Sequence, residues 1–262
     1  LSNGEISTEQ ENMRVLFKYQ PADRILREIH AGIGKVAGSM DTKSIWRAEK
    51  QIFAVYSPWN HRLRTTFALT AAEQLSAGKK VLYLNFSICN GFCKSMGLEP
   101  DVDMGDLFYL LREDEEALLA KLKSGIYPLG SYQIIPPPSN PEHYMEWRKG
   151  EVRHFLEILL EKTDFEVLVL DMGCVMNGFF EVLDLCGRIW ILKEHRTSKD
   201  SGIEELRELL EKFKAGLEER VEEVFLPGGQ AWREDGTIQV EEFYMGEVGN
   251  CVRRLLGGEY AS

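Results

Sequence analysis

The sequence predicts a doubly wound α/β domain, a mainly parallel sheet with helices on both faces. Three observations carry that expectation. From Glu49 onward, short β-rich runs alternate with longer helical patterns. The runs IFAVY (52–56), VLYLNF (81–86) and VLVLD (167–171) are apolar without strict alternation, as strands are when both faces are buried. Strands and helices alternating at this spacing imply βαβ units.

Taken in order, IFAVY is the first strand of this region, and a helix over 64–77 follows, stopped by Gly78. VLYLNF is the next strand, and helices are expected over 104–111 and 115–123. YQII (132–135) is a short strand ended by Pro136, Pro137 and Pro138. The longest helix is expected over 141–162, with Phe155, Leu156, Leu159 and Leu160 as its apolar stripe. VLVLD ends on a carboxylate, RIWILK (188–193) is another strand, and 202–217 is a charged amphipathic helix. VEEVFL (221–226) is a weaker strand ending at Pro227, and a last helix covers 246–256.

The first 43 residues read differently. VLFKY (15–19) is a strand, 21–30 a helix, and 32–44 a Gly- and Ser-containing linker. One strand and one helix do not make a domain. Residues 1–43 are therefore expected to be the remnant of a receiver-like domain with its linker, and residues 44–262 the main domain. The opening on Leu1 fits truncation, and a polar start without a signal peptide points to the cytoplasm.

Charge narrows the function classes. The 262 residues carry a formal net charge of -11, which opposes nucleic acid and anionic lipid. In the last helix Val248, Val252, Leu255 and Leu256 would suit a membrane surface, but only Arg253 and Arg254 add basic charge. Packing on the sheet is the better expectation there. Five scattered cysteines, with no Cys-x-x-Cys pair and no histidine nearby, read as reduced structural residues.

The chemistry concentrates after the first strand, where Ser57, Pro58, Trp59, Asn60, His61, Arg62, Leu63, Arg64, Thr65 and Thr66 lead into a helix. A strand, a loop of this length and a helix opening on two threonines is the layout of a phosphate-binding P-loop. Together with Gly78-Lys79-Lys80 before the next strand, it resembles the ParA/MinD family of P-loop NTPases. The resemblance runs from Ile52 to the end and is nearest the CpaE-like branch associated with pilus assembly, where a receiver-like domain comes first. It implies a three-layer P-loop NTPase fold, bound ATP and Mg²⁺, and a homodimer formed on ATP.

The residues depart from that pattern. A P-loop needs glycines so that backbone N–H groups close around phosphate, yet no glycine stands between Ser57 and Thr66, and Pro58 removes a donor. By the resemblance, Trp59 falls at the extra lysine, Leu63 at a glycine and Arg64 at the main lysine. Thr65 keeps the Mg²⁺-ligand position, and Thr66 is also unchanged. Asn85 stands where the family has an aspartate, and an amide supplies neither the charge nor the basicity of one. Asp171 falls at the Walker B carboxylate, the second Mg²⁺ position, with Gly173 close behind it as small residues are there.

The expectation is a degenerate NTPase that does not require ATP or Mg²⁺, binds them weakly or not at all, and works through protein partners. One alternative is a divergent, active ATPase using Arg64, Thr65 and Asp171. Another is a different ligand in the same crevice, held by Trp59, His61, Arg62 and Arg64.

Overall fold

The computed structural model describes residues 50–58, 61–88, 91–193, 200–226 and 244–256, with the backbone alone at 61 and 62. Residues 1–43, expected to be a receiver-like remnant, and Trp59, Asn60 and Cys89 lie outside the described residues.

The chain runs β1 (Gln51–Tyr56), α1 (His61–Leu75), β2 (Val81–Phe86), α2 (Phe92–Ser95), α3 (Met104–Glu113) and α4 (Glu115–Gly125). It continues through β3 (Tyr127–Leu129), β4 (Tyr132–Ile135), α5 (His143–Glu146), α6 (Glu151–Lys162), β5 (Val167–Met172) and α7 (Phe179–Leu185). Then come β6 (Arg188–Lys193), α8 (Ser201–Phe213), a 3₁₀ turn (Glu218–Arg220), β7 (Val221–Phe225) and α9 (Glu247–Leu256). Among the described residues the strands form one seven-stranded sheet in the order β3-β4-β2-β5-β1-β6-β7. Every pairing is parallel except β3 with β4, the short edge hairpin that carries Pro128.

Side-chain parity divides the core into two, because successive strand residues point to opposite faces. Phe53, Val55, Val81, Tyr83, Val167 and Val169 pack on one face with α1 and α9. Ile52, Ala54, Leu82, Leu84, Leu168 and Leu170 pack on the other with α3, α6 and α7. Helix α1 approaches the sheet closely because Ala68, Ala71 and Ala72, all fully buried, present small side chains there. The result is the three-layer α/β architecture expected from the apolar runs.

The long helix expected over 141–162 is instead two. Trp147 is extended, and Gly150 takes φ +87°, a left-handed conformation that suits glycine. The break lets Trp147 turn into the core, where it stacks on Phe108 with ring centroids 4.0 Å apart. His143 and His154 therefore lie on separate helices. The charged helix stops at Phe213, and β3 and α7 are additions to the expected set. Among the described residues, no helix is long and apolar enough to cross a membrane.

Candidate functional site

Strands β2, β5 and β1 are neighbours, and their C-terminal ends bring together the residues singled out above. The register sets Asp171 beside Val55 on one side and beside Asn85 on the other. Parity places Asp171 and Asn85 on the α1 face, so the start of α1 lies over them. The geometry is the crevice at the carboxyl ends of parallel strands where α/β proteins hold ligands.

Arg64 does not point out of this crevice. Its guanidinium folds inward and is fully buried, with Nε donating to Asp171 Oδ1 in a buried ion pair. Its Nη2 donates to Ser87 Oγ at 2.6 Å. Asp171 is fully buried too, and Oδ2 accepts from Thr65 Oγ1 at 2.7 Å, Tyr83 OH at 2.8 Å and Asn85 Nδ2 at 3.2 Å. The other proton of Asn85 Nδ2 serves Tyr83 OH at 3.0 Å, so the tyrosine accepts one bond and donates another. Tyr144, from α5, closes the network by donating to the Asn85 carbonyl at 3.0 Å.

Electrostatics follow from burial. Desolvation first, then the neighbouring Asp171 charge, push the Tyr83 hydroxyl well above its ordinary range, so it stays a donor. Burial raises Tyr144 likewise. Cys174, three residues past Asp171, is pushed up to about 11 by desolvation, with Arg64 opposing and Asp171 reinforcing the shift. Desolvation also raises Tyr56, against the pull of Arg64.

Of the sequence-selected residues, the structure unites Arg64, Thr65, Asn85 and Asp171. Ser57 and Thr66 are buried nearby in the chain, and Leu63 is half-buried against the α1-side core. Tyr83, Ser87 and Tyr144 join the site without having been marked for it by the sequence. Tyr83 carries a readable signal, since it lies two residues before Asn85 on the same strand face. Ser87 and Tyr144 carry none, because one lies past the end of β2 and the other on a short helix whose placement the spacing does not give.

The topology decides the fold class. No protein-family model matches the sequence, and no curated protein matches it. Solved structures do: a ParA family ATPase from Chlorobium tepidum TLS aligns with a TM-score of 0.57 at 17% identity, over 80% of this chain and 93% of that one. The fold is that of the ParA-type ATPases. An ATP complex of a Cyanothece McdA variant aligns at TM-score 0.50 and 18% identity, over 68% of each chain. The VpsO kinase domain aligns at 0.51 and 17%, over 79% of this chain and 98% of that one. The same fold thus aligns with an ATPase and with a kinase domain, and residues rather than fold must decide function.

Those residues do not fit a bound Mg²⁺. A carboxylate offers about four acceptor sites, and Asp171 already receives four donors from Arg64, Thr65, Tyr83 and Asn85. Among the described residues, no group of three His, Cys, Asp or Glu side chains is placed to hold a metal ion.

Proposed function

We propose that this chain is a non-hydrolysing relative of the ParA/MinD-type ATPases that acts as a regulatory, localising or scaffolding partner for other proteins. The observation that carries this reading is the inward Arg64–Asp171 ion pair. In a hydrolytic crevice, the cation of the loop faces phosphate and the strand-end carboxylate faces metal-bound water. Here each is directed at the other. The loss of loop glycines and the amide at Asn85 support the same reading from independent positions.

Because the crevice residues serve the fold, the functional contacts of such a domain fall on its surface and are made with proteins. A net charge of -11 sets nucleic acid aside. The CpaE-like resemblance favours pilus assembly or cell organisation as the process, with residues 1–43 as the end of a receiver-like input domain.

A steady-state assay of ATP hydrolysis on the purified chain tests this. The reading expects turnover at background with Mg²⁺ present, and no difference between the native chain and Asp171→Ala. Mg²⁺-dependent turnover abolished by Asp171→Ala would overturn it.

A further inference from the structure

We propose that Arg64 is a tethered counter-ion which stands in for a divalent cation in this crevice, seated there by Gly173. The proposal rests on the non-hydrolysing reading and says what replaces the nucleotide machinery: the state of the crevice is set by the fold and does not respond to Mg²⁺ or ATP.

Charge counting supports it. Among the described residues, the buried cluster holds one cation, Arg64, and one anion, Asp171; Asn85, Thr65, Tyr83 and Ser87 are neutral. Among these described residues the two charges cancel, which favours burial because an uncompensated ion is strongly destabilising there. Adding a divalent cation would leave an excess of two charges. Placing a carboxylate at Asn85 would leave an excess of one in the opposite sense. Arg64 and Asn85 are thus matched: the amide donates to Asp171 where a second carboxylate would repel it.

Shape supports it as well. The planar guanidinium reaches two acceptors in different directions, Asp171 Oδ1 through Nε and Ser87 Oγ through Nη2. A lysine ammonium is a point charge on a flexible stem and lacks that rigid fork. The guanidinium also needs a floor without a side chain, and Gly173 provides it. A Cβ at Gly173 would overlap Ser87 Oγ and come within 2.5 Å of Arg64 Nη2 and 2.7 Å of Ser87 Cβ. The Ser87 Cβ is fixed by backbone, and Gly173 is itself fixed by its N–H donating to the Phe86 carbonyl at 2.8 Å. The guanidinium and the Ser87 hydroxyl can both swing aside, while the approach to Ser87 Cβ is relieved only by a small shift of backbone.

Thermal denaturation with exogenous cations tests the assignment. The native chain should melt at the same temperature in EDTA, in Mg²⁺ and in Mg-ATP. Arg64→Ala removes the tethered cation and leaves Asp171 buried and unpaired, lowering Tm by about 10 °C. Millimolar methylguanidinium or Mn²⁺ should restore a substantial part of that loss, and neither should act on the Arg64→Ala/Asp171→Asn double variant. If neither cation raises the Tm of Arg64→Ala, the counter-ion assignment is wrong while the non-hydrolysing reading stands. If Mg-ATP stabilises the native chain, the counter-ion assignment fails, and the turnover assay alone then decides the non-hydrolysing reading. Should Arg64→Ala not fold, Gly173→Ala reads the same relation by displacing the guanidinium. Stabilisation of that variant by Mn²⁺ supports the proposal, and indifference to Mn²⁺ overturns it.

Discussion

Thr65 donates its hydroxyl to Asp171, Oγ1 to Oδ2, at 2.7 Å. The resemblance implies Mg²⁺ contacts for both groups; what the structure has is a direct hydrogen bond between them. Thr65→Val keeps the shape and removes the donor. A hydrogen bond to a charged group contributes about 1.5–3 kcal/mol, so urea denaturation should show a loss of that order. A matched nucleotide-binding assay should show no difference between Thr65→Val and the native chain.

The ion pair itself is accessible to a double-mutant cycle. Asp171→Leu alone leaves the Arg64 guanidinium buried without its carboxylate, and Arg64→Met alone leaves the reverse. Each should cost about 3–5 kcal/mol by chemical denaturation. The double variant should lose much less than the sum, with a coupling of about 2 kcal/mol or more. Additive losses would mean that the two residues do not act as a unit.

Asn85→Asp sets a second carboxylate against Asp171 Oδ2, which now lies 3.2 Å from the amide nitrogen. Two buried carboxylates at that separation do not both ionise, so the new group titrates above its unfolded value. A raised folded pKa leaves the variant best tolerated in acid and increasingly destabilised as pH rises. Melting curves from about pH 4 to about pH 8 should show the gap to the native chain widening upward. A gap independent of pH would contradict the charge balance.

Cys174 gives a probe of the site's dryness. Its thiol is pushed up to about 11 by desolvation, and only the thiolate is the nucleophile. Alkylation at about pH 8 should therefore run on the order of a hundredfold slower than for a free thiol, rising with pH toward about 11. Peptide mass spectrometry with a Cys174→Ser control assigns the signal. The stability contribution has a definite sign. The unfolded thiol ionises first, so this contribution is intact below about pH 9 and is lost as pH rises through the folded value.

Much of this is readable in the residues. The strands holding Asp171 and Asn85 announce themselves as apolar runs, because a strand buried on both faces admits little else. Asp171 is then conspicuous as a carboxylate ending such a run. Arg64 is legible by position but not by direction, since spacing says nothing about which way a long side chain turns. Its inward course depends on Gly173, Ser87 and Asp171, which are brought together only by the pairing of β2 with β5. The break at Gly150 is hidden for a similar reason: the apolar stripe of α6 continues in register upstream, and only the burial of Trp147 shows why the chain leaves the helix there.

The Arg64–Asp171 pair closes this crevice from within, and calorimetric titration of the purified chain with ATP, with and without Mg²⁺, reads that closure. No binding heat is expected up to millimolar nucleotide, and no competition by ADP. Saturable, Mg²⁺-dependent binding that disappears in Asp171→Ala would contradict it.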